Sequence, residues 1–284
     1  MQELSTSIGQ AAKMPCTAMH AWTIASSTTG ATYRIYATQP EGMPPESGWP
    51  AIFLLDGEGL FGTVSEAIAR LSRRADATGV KPAATIAICA EPVASVDVRR
   101  RDFGTPSPDP HGAGPSSTTQ PQGEEFLQFL HTALVPALVE AMQLDGRKLS
   151  LYGHSLAGFS ALNSFLSSAS PFARFAAISP SIWWDREGLY ARLDHADTGN
   201  RRIFLAAGEW EEALPPWQAR TEQAESILAR RQARRMIRNA REMSERIVAR
   251  SGAVAATFAF FEDEDHASIV SRSIAPALRF ISVE

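Results

Sequence analysis

The sequence predicts an α/β protein: a mostly parallel central sheet with helices on both faces. Three observations carry this expectation. Short apolar runs bounded by turn residues recur along the 284-residue chain. Several are continuous rather than alternating, as strands covered on both faces should be. From residue 51 onward, segments with helical periodicity separate them, the pattern of a parallel sheet built from strand–helix units. Against a prior of roughly 100–200 residues per domain, the chain is expected to fold as a single domain over 1–284. Residues 1–19 are set aside as a flexible N-terminal segment.

The elements follow in order. Residues 20–24 (HAWTI) and 33–37 (YRIYA) read as two strands joined antiparallel across 26–30 (SSTTG). The next strand is 51–55 (AIFLL), and the helix after it spans 64–74, with Val64, Ala67, Ile68 and Leu71 on one face. The strand 85–89 (TIAIC) leads into residues 91–122, where Pro92, Pro106, Pro108, Pro110, Pro115 and Pro121 argue for a long loop without regular structure. A helix over 124–142 lines up Phe126, Phe129, Leu130, Leu134 and Leu138. Strands follow at 149–152, 175–178, 203–207 and 256–261, with a helix after Ser155 and another over 269–281. Residues 217–250 read as one long arginine-rich helix whose charged face is solvated and salt-bridged, over a stripe containing Ile227, Ala233, Ile237, Ala240, Ser244 and Ile247.

Composition narrows the function classes. With 44% hydrophobic and 20% charged residues the chain is globular rather than disordered. A net charge of −4, with no aromatics interleaved among the arginines, argues against nucleic acid as a partner. Cys16 and Cys89 are too few for a disulfide framework and too isolated for a zinc site; Cys89 ends an apolar run and is expected as a buried thiol. No apolar stretch is long enough to span a membrane. The N-terminus lacks the basic start and apolar core of a signal peptide, which points to the cytoplasm, or to the periplasm if the chain is a trimmed mature form.

The strongest chemical signal is GHSLAG over residues 153–158, between an apolar strand and an apolar helix. This is the strand–turn–helix setting of a nucleophile elbow, G-x-S-x-G, with Ala157 at the second small position. Small residues there let Ser155 take strained backbone angles that aim its hydroxyl outward. The amide of Leu156, opening the helix, can hold an oxyanion. A serine alcohol needs a base at neutral pH, and in α/β-hydrolases the order along the chain is serine, acid, histidine. His195 lies in a polar, surface-like stretch. His266, between the last strand and the last helix, is the expected base. The acid should follow the strand at 203–207, where Glu211 is favoured by its spacing from Gly208 over Glu209 and then Glu212. The second oxyanion donor is expected in the loop after residues 51–55, from the amide of Gly57 or Glu58.

LLDGEGLF at 54–61, GHSLAG at 153–158, SPSIWWD at 179–185, GEWE at 208–211 and Asp265-His266 resemble, in this order, the putative-esterase family of α/β-hydrolases. Within it the chain looks like the branch of ferric-siderophore esterases, similar to enterobactin and salmochelin hydrolases. The resemblance implies an α/β-hydrolase fold and hydrolysis of a catecholate trilactone, with or without its iron. That partner is a small-molecule ester; no metal or organic cofactor is implied, and any iron arrives with the substrate. Such a ligand is anionic, and the segment 98–103 (VRRRDF) resembles the family's arginine-bearing one, which nominates Arg100 and Arg101 for substrate contact. The competing assignment is surface pairing with Asp97 and Asp102. Trp183 and Trp184 are nominated to hold substrate, with packing under the loop as the alternative. The same machinery would also serve a general carboxylesterase acting on feruloyl, formyl-thiol or short acyl esters, and a catalytically silent relative would remain a ligand-binding protein.

Overall fold

The computed structural model describes residues 19–91, 95–106 and 120–283. Cys16 and the expectation for residues 1–18 lie outside the described residues. Eight strands form one sheet: β1 (Met19–Ala25), β2 (Thr32–Thr38), β3 (Trp49–Leu55), β4 (Ala84–Glu91), β5 (Leu144–His154), β6 (Arg174–Ile178), β7 (Arg202–Gly208) and β8 (Ala256–Phe261), in the spatial order β1-β2-β4-β3-β5-β6-β7-β8. The first two strands pair antiparallel, as expected, and β2 lies antiparallel to β4. All pairings from β4 through β3 to β8 are parallel.

Alternation along the central strands explains how the sheet is covered. Phe53, Leu55, Leu149, Leu151 and Phe175 face one apolar layer, and Ile52, Leu54, Tyr152, Ala176 and Ile178 face the other. With a side-chain period of two, neighbouring residues serve opposite layers, so these strands read as unbroken apolar runs. The second layer is closed by α1 (Phe61–Leu71), followed after α2 (Ala75–Thr78) by β4, and by the last helix, α10 (Ile269–Ser282). The first layer is closed by α3 (Val96–Phe103), α4 (Gly123–Phe129), α5 (Val135–Ala141), α6 (Leu156–Leu166), α7 (Arg186–His195) and α9 (Met236–Ser251), with α8 (Ala224–Arg234) before the last of these. Among the described residues, no helix is long and apolar enough to cross a membrane.

Two expectations are corrected. Residues 91–122 are not free of regular structure. The prolines flank residues 95–105 and none falls inside, so α3 forms, with the Ser95 hydroxyl accepting the Val98 N–H at 3.2 Å as its N-cap. The residues 92–94 and 107–119 of that segment lie outside the described residues. The arginine-rich stretch is two helices rather than one. Arg235 adopts a left-handed conformation, φ 51°, that ends α8 and starts α9. The junction is fixed by Asn239, whose backbone N–H donates to the Arg235 carbonyl at 2.8 Å and whose side-chain amide donates to the Arg234 carbonyl at 3.0 Å. The buried stripe survives in α9 as Ala240, Ser244 and Ile247, joined by Met236 and Met243. The helix over 124–142 is α4 and α5, joined through a π-helical turn, Leu130–Leu134. Pro136, at the start of α5, has no N–H to continue the α-helical ladder there. Cys89 is buried as expected, and desolvation pushes its thiol up to about 12.

Candidate active site

β5 delivers Ser155 to the C-terminal edge of the sheet. Ser155 sits at φ 60°, ψ −119°, a conformation that costs a non-glycine residue of order 1–3 kcal/mol. The surroundings hold it there. Its N–H donates to the Ile178 carbonyl at 2.9 Å, and its own carbonyl accepts from Phe159 and Ser181, both at 3.0 Å. A Cβ at position 153 would overlap the Ala157 carbonyl, so glycine is required. Ala157, fully buried, occupies the second small position without such a collision.

The other two groups enter from the strands beyond β6. Asp265 shapes the turn after β8. Its carboxylate accepts the N–H groups of Ala267 and Ser268, both at 2.8 Å, and these bonds hold its pKa below the ordinary carboxylate value. The turn presents His266, whose Nε2 lies 2.9 Å from the Ser155 hydroxyl and whose Nδ1 lies 2.6 Å from Glu211 Oε1. Glu211 ends a short turn after β7 with its side chain 1% exposed; its second oxygen accepts the Gly208 N–H at 3.3 Å. The loops that carry Glu211 and His266 are stitched together by the Trp210 N–H donating to the Glu264 carbonyl at 3.0 Å. They approach so closely that a Cβ on Gly208 would strike that carbonyl. Of the three glutamates, only Glu211 meets the imidazole. Glu209 accepts the Asp263 N–H at 2.9 Å, and Glu212 accepts the Arg238 N–H at 2.9 Å. An ionised carboxylate can only accept, so Nδ1 carries the proton and Nε2 is left to accept from the serine. His195 is exposed at the end of α7 and takes no part.

The β3 loop flanks this elbow because β3 pairs directly with β5, Leu54 against Tyr152. Asp56 turns left-handed, φ 52°, and Gly57 presses so closely on Ala87 that a Cβ would overlap it. The loop is anchored by Arg99 of α3, whose Nε lies 2.7 Å from Asp56 Oδ2. Burial nonetheless raises the Asp56 pKa, against the pull of Arg99. Gly57 is buried while Glu58 is exposed, and Leu156 opens α6 with its amide in the unpaired first turn.

The nominated substrate contacts divide. Arg100 lies over the Trp184 ring, 5.9 Å from its centroid. Arg101 instead grips Asp102 through two bonds, at 2.7 and 3.0 Å, and the buried Asp102 also accepts the Tyr33 hydroxyl at 3.1 Å. That is the pairing alternative, turned inward. Trp184 is buried and donates its indole N–H to the Thr105 carbonyl at 3.3 Å, while Trp183 is half-buried under the Arg234 guanidinium at 4.4 Å. Three neighbours were missed by sequence reasoning. Arg99 is one. Ser181, 3.4 Å from the Ser155 hydroxyl, sits in the quoted SPSIWWD stretch, whose spacing carries no sign of this approach. His154 is the third, packed on His266 with ring centroids 4.7 Å apart.

Comparison with known proteins bears on the same constellation. Residues 26–253 match the family described as Putative esterase. The chain belongs to this family. It is 32% identical over 276 residues to the ferri-bacillibactin esterase BesA of Bacillus subtilis, covering 90% of this chain and 87% of that one. It is 28% identical over 295 residues to the siderophore enterobactin esterase of Emericella nidulans, covering 93% of each. The siderophore hydrolase EstA from Aspergillus nidulans superposes with a TM-score of 0.82 over 98% of this chain and 99% of that one, at 24% identity, a likeness of fold. The expected α/β-hydrolase class therefore stands, and the chain is a carboxylic ester hydrolase of the serine type.

Proposed function

We propose that this esterase hydrolyses the ester bonds of a catecholate siderophore, with Ser155 as nucleophile, His266 as base and Glu211 as the acid that orients it. The observation that carries the reading is the unbroken relay from Ser155 through His266 to Glu211, at 2.9 and 2.6 Å. As the Ser155 oxygen attacks the ester carbonyl, its proton passes to Nε2 of His266, and the buried Glu211 carboxylate stabilises the imidazolium. The tetrahedral oxyanion is met by the Leu156 amide and by that of Gly57 or Glu58. His266 then protonates the leaving alcohol, deprotonates a water, and the acid is released from Ser155. These steps draw on side chains, backbone amides, the ester and water.

The siderophore assignment is supported by the names of the relatives, a ferri-bacillibactin esterase and an enterobactin esterase. Cations near the site suit an anionic ligand. Arg99 stands beside the oxyanion loop, Arg100 over Trp184 and Arg234 over Trp183, while Arg231 lies within electrostatic reach of Asp265 and Glu211. Arg100 and Trp183 remain the nominees for ligand contact, and Arg99 joins them, while Trp184, buried and bonded to the Thr105 carbonyl, takes the packing alternative.

The test is mass analysis of products from ferric and iron-free catecholate trilactones. Stepwise ring opening to shorter esters is expected from the wild-type chain and none from Ser155→Ala. Cleavage by Ser155→Ala would remove Ser155 from the mechanism. Faster relative turnover of a short p-nitrophenyl ester than of either trilactone would reassign the chain to general carboxylesterases.

A further inference from the structure

His154 has no part in the relay, yet its Nε2 lies 2.8 Å from the His266 carbonyl and its ring packs on the His266 imidazole. We propose that His154 is a positioning residue: its Nε2–H donates to the main-chain carbonyl of His266 and its ring braces the His266 imidazole in reach of Ser155. The inference rests on Ser155 and His266 acting as nucleophile and base.

The Nε2–O distance is 2.8 Å. A carbonyl only accepts, so the proton sits on Nε2 of His154, and this tautomer follows from the contact itself. The two rings meet at 4.7 Å between centroids with an interplanar angle of 43°, so the hydrogen bond and the ring contact act on the same residue from one side. From the other side Glu211 holds Nδ1. The His266 side chain is 47% exposed, so surrounding packing alone does not fix it. Glu211 restrains the imidazole edge; the His154 bond restrains the backbone from which the ring hangs.

Chain connectivity gives the arrangement its purpose. His154 is bonded to Ser155, so the elbow that aims the nucleophile also carries the clamp on the base. The spacing between the two reacting groups is then set within one rigid strand end, although they lie 111 residues apart in sequence. Burial, with a smaller contribution from His266 and Arg99, pushes the His154 pKa down to about 3. The clamp is therefore uncharged at neutral pH, and an imidazolium forming at His266 meets no second positive ring.

The experiment compares His154→Asn, whose amide is too short to reach the carbonyl, with His154→Gln, whose amide N–H reaches about as far as Nε2. Displacing a reacting group by about 1 Å can cost on the order of 100-fold. The Asn variant is expected to lose about 10- to 100-fold in kcat on a p-nitrophenyl ester and in the rate of Ser155 acylation by a fluorophosphonate, with KM within about threefold. The Gln variant is expected to recover to within about fivefold of wild type, a rescue that a purely structural role would not produce. An Asn variant that keeps its melting temperature and reacts within about twofold of wild type overturns the proposal, as does a Gln variant no better than Asn. Should Asn fail to fold, Gln alone decides: a loss beyond about 20-fold refutes the clamp. Fluorophosphonate labelling of the wild type separates the outcomes, since failure to label Ser155 would strike the serine-esterase reading itself.

Discussion

Replacing Glu211 by Gln exchanges one oxygen for an NH2 and poses a problem that the site cannot solve. The wild-type carboxylate accepts twice, from His266 Nδ1–H at 2.6 Å and from the Gly208 N–H at 3.3 Å. A glutamine has one oxygen and one NH2. If its oxygen faces His266, the NH2 confronts the Gly208 N–H, two donors against each other at a side chain 1% exposed. An unsatisfied buried donor costs about 1–3 kcal/mol. If the NH2 faces His266, Nδ1 must become the acceptor and the proton moves to Nε2, where it blocks transfer from Ser155. In serine triads that wrong tautomer costs about 10⁴ in kcat. Either orientation also removes the negative charge that offsets the imidazolium. We expect Glu211→Gln to lower kcat by about 10³- to 10⁴-fold with KM within about threefold, read with a short p-nitrophenyl ester under saturating conditions. Glu209→Gln and Glu212→Gln, whose carboxylates serve backbone amides elsewhere, should stay within about threefold of wild type. A Glu211→Gln enzyme within about fivefold of wild type would mean that the imidazole works without its acid, and would refute the tautomer argument.

Two further outcomes follow from the packing. Gly153→Ala drives a methyl into the Ala157 carbonyl and should destabilise the fold by about 1–3 kcal/mol or displace the elbow, with turnover falling in either case; denaturant melts and kinetics measured together check it, and an active variant of wild-type stability would contradict the geometry. His131 is buried against the Ser164 hydroxyl at 2.9 Å, and burial lowers its pKa to about 4 from 6.5. The unfolded chain binds that proton first as pH falls, so stability is full above about 6.5, declines between about 6.5 and 4, and levels off for this group below, a loss of about 3 kcal/mol. Urea midpoints between pH 7.5 and 4 should show this slope reduced in His131→Gln, and an unaltered slope would assign it to other groups.

The strands were legible because the sheet is buried on both faces, which turns them into short uninterrupted apolar runs. The relay was legible because GHSLAG, the glutamates after 203–207 and His266 fall at the ends of β5, β7 and β8 in the expected order. What stayed hidden has physical causes. Counting prolines over 91–122 averaged across residues 95–105, which contain none, and so concealed α3. Without that helix, Arg99, Arg100 and Arg101 are indistinguishable; on it, about 100° of rotation per residue sends them to Asp56, Trp184 and Asp102. The break at Arg235 carries neither glycine nor proline, the usual punctuation; the Asn239 side chain instead takes up the Arg234 carbonyl there. Ser181 and His154 act on partners 26 and 112 residues away, a relation that no local pattern records.

The order of the strands has a consequence for synthesis. Ser155, the proposed nucleophile, follows β5 near the middle of the sheet, whereas Glu211 and His266 ride on the strands added last, β7 and β8. With the roles proposed above, a nascent polypeptide that has emerged only through Ser155 is inert, however well its early portion has folded. Enzymatic competence thus arrives late and abruptly, when the final edge strand docks, so the onset of turnover during refolding would serve as a clock for closure of that edge.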